Sequence, residues 1–223
     1  LIGTELCKIY SGISWNNEIL VIDNRFPSER VNQLRKWGIK FIHGDILDKE
    51  LIKKSLYDCN IVHHMAGITQ VPRTLNESDP KKDEKINDVA IKGTENIISS
   101  VPDSCKIIFP STHVVFEGVQ LAKKEIIEEE STYPILTYAK GKVKNEEQLK
   151  KSGKKYVILR LGSVYGYSND STRLDIMPNQ FSKMASQNNL IKLFSGGKQI
   201  KSLVPLLDVA RCFKFMEEKE NII

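Results

Sequence analysis

Apolar residues along this chain keep two alternating rhythms. Short aliphatic and β-branched runs predict strands at Glu18–Asp23 (EILVID), Lys40–His43, Asn60–Met65, Lys106–Pro110 (KIIFP), Lys155–Leu161 (KYVILRL) and Ile200–Pro205. Between them, wider spacing predicts helices. The first covers Gly3–Tyr10, with Leu6 and Tyr10 on one side, and the second Phe26–Trp37, closed by Gly38. Others start near Leu47 and run through Tyr57, cover Lys85–Ser100, carry Tyr138 and Lys142, and cover Arg173–Asn188. A last helix is opened by Asp208 and reaches Lys219. Asn76–Lys82 reads as a polar loop and Gly118–Tyr133 as a charged surface excursion. Strand and helix alternating in this way predict a parallel sheet covered on both faces.

Composition narrows the class. A chain of 223 residues, 40% hydrophobic and 27% charged, bounds one large soluble α/β domain with the start of a second. The net charge of +5 comes from scattered lysines, with Lys81-Lys82 followed at once by Asp83-Glu84. That is a solvated surface rather than a nucleic-acid footprint. No apolar run reaches membrane-spanning length and no signal-peptide pattern occurs. Cys7, Cys59, Cys105 and Cys212 stand far apart in a pattern that makes no metal site, so free thiols in a reducing cytoplasm are expected. The chain opens on Leu1-Ile2-Gly3 without a methionine and stops at Ile223 after a helical stretch, so it reads as cut at both ends.

The candidate chemistry centres on Tyr138 and Lys142, four apart and therefore on one helical face. A phenol is a poor base near neutrality, and an adjacent ammonium favours its phenolate. The spacing also suits an ordinary surface pair. Gly3 fits the last glycine of a turn whose backbone meets a pyrophosphate. Asp23, about twenty residues later at a strand end, suits ribose hydroxyls and favours NAD over NADP, or is a simple turn former. Asp45 can accept from an adenine amino group, cap the following helix, or do both. The small residues ending His64-Met65-Ala66-Gly67 permit close approach of a cofactor. His63 and His64 point to opposite strand faces, which argues against a shared metal. Asn87, six residues before Gly93, suggests a structural hydrogen bond beside a tight helix–sheet contact. Ser111 and Thr112 lie just past the carboxyl end of a strand, the edge where open α/β sheets hold ligands.

Taken in order, these pieces resemble the extended short-chain dehydrogenase/reductase family, in its NAD-dependent nucleotide-sugar epimerase/dehydratase branch. The match runs through Gly3, Val21-Ile22-Asp23, Gly44-Asp45-Ile46, His64 to Gly67, Asn87 to Thr94, Ser111-Thr112, Tyr138 with Lys142, and Leu159 to Gly166. The resemblance implies a doubly wound, Rossmann-like parallel α/β sheet lacking its first strand. It implies an NAD-binding domain over residues 1–166 and a partial substrate region over 167–223. It makes Tyr138 the base, Lys142 the ribose ligand that acidifies it, and Thr112 the partner of the reacting sugar oxygen. Cofactor contacts would come from Gly3, Asp23, Asn24, Asp45, Ile46, Met65, Ala66, Gly67 and Asn87, with Tyr138 and Lys142. Ser163 stands where the family has an asparagine beside the substrate, and Lys201 where an arginine grips the diphosphate.

The implied reaction is transient oxidation of a sugar hydroxyl to a ketone and return of the hydride, with NAD retained. Thr112-His113-Val114 lacks the carboxylates that dehydratases and decarboxylating relatives carry, which leaves an epimerase ahead of a reductase. Phe116 replaces a tyrosine, and Glu117 intrudes before Gly118, reshaping the pocket mouth. A non-catalytic dinucleotide-binding protein would have no need of the Thr112, Tyr138 and Lys142 set. A homodimer through paired helices also follows from the resemblance. A chain without its central first strand is expected to be poorly stable alone.

Overall fold

A computed structural model describes residues 1–13, 18–69, 75–120, 125–168, 173–198 and 200–219. The chain forms two compact units, one from residues 1–21, 27–41 and 161–215, the other from 22–26, 42–160 and 216–223. β1 (Leu20–Asp23) and β2 (Lys40–His43) pair in a two-stranded sheet. The backbone joins its strands within each unit: Lys40 N–H donates to Ile19 O (3.0 Å) in the first, and Gly44 N–H to Asp23 O (3.1 Å) in the second.

In the first unit, α1 (Ile2–Ser11) buries Leu6, Cys7 and Tyr10 and packs on α7 (Leu206–Phe215). α7 buries Leu206, Val209, Ala210 and Phe213, the 3.6-residue rhythm of a one-sided helix. α2 (Ser28–Lys36) turns Leu34 inward against Cys7 and Ile39. It stops at Gly38, whose φ of +72° lets Ile39 N–H reach back to Leu34 O (3.0 Å). β6 (Ser163–Tyr165) pairs in parallel with β7 (Leu203–Pro205), Ser163 opposite Leu203. α6 (Met177–Ser186) also belongs to this unit.

The second unit holds the three-stranded sheet β3–β4–β5: Ile61–His63, Lys106–Thr112 and Lys155–Leu161. β3 runs parallel to β4 with Ile61 opposite Lys106. Its core joins Ile107, Phe109 and Ile158 from the sheet to Ile52 of α3 (Lys49–Leu56), Ile97 of α4 (Pro80–Ser100) and Leu149 of α5 (Thr137–Lys151). α4 and α5 cross where Gly141 meets Ala90; a methyl added at Gly141 would sit 3.2 Å from the Ala90 Cβ. Asn145 Nδ2 then donates to Ala90 O (2.8 Å), fixing one helix on the other.

Several boundaries differ from the sequence expectation. α4 starts at Pro80 rather than Lys85, because Asp79 accepts from Lys82 N–H (3.0 Å) and the proline fills the first turn. α3 starts at Lys49, capped by Asp48, not Asp45. α7 starts at Leu206, so Asp208 lies inside its first turn. β4 continues through Ser111 and Thr112, which belong to the strand rather than to the loop beyond it. β6 was not expected at all. Within the irregular segment Gly118–Tyr133, residues 121–124 lie outside those described.

Candidate active site

Everything at the candidate centre follows from how α5 lies against the end of β4 and the 3-10 turn His113–Phe116. Two N–H groups ahead of that helix, on Ile135 and Leu136, donate to one carboxylate oxygen of Glu117 at 2.7 and 2.6 Å. The intruding acid therefore sets where α5 begins, one residue before Tyr138. One turn further on, Lys142 Nζ donates to Pro110 O (2.6 Å) and lies 4.3 Å above the Phe109 ring centroid. The same ammonium is 5.7 Å from the centroid of the half-buried Tyr138 ring. Thr112, two residues past Pro110, is buried, and its Oγ1 accepts from Val114 N–H (3.3 Å).

Electrostatics mark Lys142 as unusual. Burial pushes its pKa down to about 7, against the opposing pull of the Glu146 carboxylate. His64 next to this region is fully enclosed; burial, then repulsion from Lys142, lower its pKa to about 3. The imidazole is therefore neutral, and its Nε2 shares a hydrogen bond with Thr94 Oγ1 (2.8 Å). His63 points elsewhere, its Nε2 3.0 Å from Glu217 Oε1, so the two histidines share no site. Among the described residues no group of His, Cys, Asp and Glu can hold a metal, and no helix is long and apolar enough to cross a membrane.

Behind the pair lies a buried charge network absent from the sequence reading. Glu146, 3% exposed, takes Arg160 Nε (3.1 Å) and Nη2 (2.7 Å) on its two oxygens, and Ser111 Oγ donates to it as well. Arg160 also donates to Glu128 O (2.7 Å) and stacks 5.1 Å from the Phe116 ring centroid. The available signal was Glu146 four residues after Lys142, hence on the same helical face.

A second cluster forms at the ends of β1 and β2. Asn24 Nδ2 donates to Asp45 Oδ2 (3.0 Å), and Leu47 N–H to Asp45 Oδ1 (2.9 Å). These two bonds, the first the stronger, hold the Asp45 carboxyl below its usual range, so it is an ionised acceptor. Asp23 Oδ1 accepts from Arg25 N–H (2.9 Å), a turn-forming bond. Beyond β3, Ala66 and Gly67 are exposed, Met65 is half-buried, and nothing lies within 4 Å of where a Cβ on Gly67 would be. Acidic acceptors at strand ends and an exposed stretch of small residues after β3 are features that a dinucleotide site uses. Ile46 is buried instead of open, packed so closely on Gly93 that a Cβ there would come within 2.9 Å of it. The tight contact expected at Gly93 is thus with Ile46. Asn87 is exposed, and it is Asn96 of α4 that donates to Ile46 O (3.0 Å), while Asn145 and Gln148 of α5 donate to the α4 carbonyls of Ala90 (2.8 Å) and Ile91 (3.1 Å).

Gly3, Ser163 and Lys201 belong to the other unit. There Ser163 N–H donates to Ser202 O (2.8 Å), which places Ser163 beside the segment carrying the exposed Lys201. Gly3 lies in the first turn of α1.

Comparison with protein families matches residues 1–222 to the NAD dependent epimerase/dehydratase family. The chain belongs to this family. Solved structures with the same fold include the UDP-glucose 4-epimerase of Thermotoga maritima with UDP-glucose: 22% identity, TM-score 0.80, covering 100% of this chain and 72% of that one. A mutant UDP-glucuronic acid 4-epimerase of Bacillus cereus, with a fluorinated UDP-glucuronic acid and NAD, is 23% identical with TM-score 0.81, over 100% and 72% of the two chains. A dTDP-glucose 4,6-dehydratase double mutant of Streptomyces venezuelae with NAD is 17% identical, TM-score 0.79, over 99% and 71%. This epimerase/dehydratase-family chain therefore has the parallel-sheet α/β fold shared by epimerases and a dehydratase.

Proposed function

We propose that the protein is an NAD-dependent epimerase acting on a nucleotide sugar through transient oxidation at one sugar carbon. The observation that carries this reading is the seating of Lys142. It is held by Pro110 O and the Phe109 ring, beside Tyr138 and two residues from Thr112 along the strand that supplies its acceptor. When bound, NAD accepts a hydride from the sugar carbon and later gives it back.

The chain's own groups do the rest. Tyr138, as phenolate, removes the proton from the sugar hydroxyl that becomes a carbonyl, and returns it when the hydroxyl re-forms. Lys142 binds the nicotinamide ribose and, when protonated, favours that phenolate. Thr112 hydrogen-bonds the reacting oxygen and fixes its distance from Tyr138. Asp23 and Asn24 meet the adenosine ribose, Asp45 the adenine amino group, and the open backbone at Ala66 and Gly67 admits the cofactor. Met65, half-buried beside Ala66, borders the same opening, whereas Ile46 is committed to its packing on Gly93. His113 and Val114, in the 3-10 turn after Thr112, supply no carboxylate for eliminating water, which favours epimerisation over dehydration.

Tyr138→Phe tests the reading in an assay that follows epimer formation from UDP-hexoses and UDP-uronic acids. Turnover should fall by about 10²–10⁴ while NAD binding, followed by calorimetry, survives. Undiminished turnover would remove Tyr138 from the mechanism. Stoichiometric oxidation of reduced cofactor by a carbonyl substrate would make the enzyme a reductase instead.

A further inference from the structure

The sequence separates Cys59 and Cys105 by 46 residues, yet their sulfurs lie 3.5 Å apart. The parallel register brings them together. Lys106 N–H donates to Asn60 O (2.9 Å) at the amino ends of β3 and β4, so Cys59 lies one residue from the position facing Cys105. Neighbouring strands are about 4.8 Å apart with a rise of about 3.3 Å per residue. Such a diagonal falls within the span of roughly 4.4–6.8 Å between the Cα atoms of a disulfide. Both cysteines are reduced in this structure.

We propose that Cys59 and Cys105 form a reversible dithiol–disulfide site that reacts with small-molecule disulfides. Cys59 is the entry point. It is half-buried between the exposed Asp58 and Asn60, whereas Cys105 is wholly enclosed. The hydrogen bond from Cys105 lowers the Cys59 pKa, outweighing burial and the nearby Asp58 charge, while the same bond and burial raise that of Cys105. The two remaining thiols are kept protonated by burial, Cys7 with its pKa pushed up to about 11 and Cys212 also raised.

The chemistry balances in two exchanges. The Cys59 thiolate attacks one sulfur of an external disulfide; its S–S bond breaks, a mixed disulfide forms at Cys59, and the first thiolate leaves with the proton Cys59 gave up. Cys105 then attacks the Cys59 sulfur, the mixed disulfide breaks, and the second external thiol departs with the proton of Cys105. The protein has lost two electrons and two protons, and the external disulfide has become two thiols.

The test treats the folded chain with hydroxyethyl disulfide under native conditions, then counts thiols, weighs the intact chain and maps its peptides. Two of the four thiols should disappear, the mass should fall by two hydrogens with no adduct, and one linked pair, Cys59 with Cys105, should appear and be restored by dithiothreitol. Cys105→Ala should trap a stable adduct on Cys59, and Cys59→Ala should leave Cys105 reduced, with circular dichroism checking that each variant folds. Untouched thiols, an unlinked adduct on Cys59 of the wild-type chain, or losses confined to Cys7 and Cys212 would overturn the proposal. Mapping of the wild-type chain decides the matter should either variant fail to fold.

Discussion

Lys142 donates to the main-chain oxygen of Pro110 at 2.6 Å, and this bond ties the middle of α5 to the strand that ends in Thr112. The ammonium is seated where burial lowers its pKa to about 7, whereas an unfolded lysine stays protonated to about 10.4. Above pH 7 the unfolded chain therefore binds more protons at this residue than the folded one, so this residue's contribution makes stability rise with pH. Between pH 7 and 8.5, wild-type unfolding free energy should gain up to ~1.4 kcal/mol per pH unit relative to Lys142→Met, a comparison in which the thiols common to both proteins cancel. Urea titrations at both pH values, run on both proteins, check this. Parallel curves would mean that Lys142 is charged in the fold.

Glu146 and Arg160 form a buried pair, and removing one partner strands the other charge. Glu146→Gln should cost about 3–5 kcal/mol. Glu146→Gln combined with Arg160→Met should cost clearly less than the sum of the two single changes. A double-mutant cycle from denaturant unfolding measures the coupling. The single Glu146→Gln change should also lower the Lys142 pKa further, because it removes the carboxylate that opposes burial there.

Gly93 lies so close to Ile46 that an added Cβ would fall 2.9 Å from Ile46 Cγ2. Gly93→Ala is expected to destabilise by about 1–3 kcal/mol through overpacking. Ile46→Leu, which carries no second γ-carbon, should recover part of that loss in the same background. The shift of the urea midpoint of the two variants from wild type reads the result.

Asn24 donates the leading bond that keeps Asp45 acidic. Asn24→Ala should raise the Asp45 pKa and weaken NAD binding by about 3–10-fold, the worth of one lost hydrogen bond. Calorimetric titration with NAD at pH 7 measures it. Equal affinities would separate Asp45 from the cofactor site.

Where one element carried its own local signal, the sequence was sufficient. β2 and β5 fall at the expected residues, and Leu6 and Tyr10 share the buried side of α1. The start of α4 escaped because Lys81 to Glu84 has no apolar rhythm; the information sat in the Asp79 cap and Pro80, read as loop. β6 escaped because three residues acquire strand character only through β7, forty positions later. Tyr138 and Lys142 were legible because both sit within one helical turn and a family pattern named them. The Glu146–Arg160 pair and the Cys59–Cys105 contact depend on register between distant segments, which no local window contains.

The parallel registers Ile61 to Lys106 and Ser163 to Leu203 have a kinetic consequence. Neither pair is joined by a hairpin, so each needs a long loop closed before its first ladder bond forms. Refolding should accordingly run on the millisecond-to-second scale of topologies with high contact order. In stopped-flow experiments, helical ellipticity of α4 and α5 should return ahead of the near-ultraviolet signal from packed aromatic side chains.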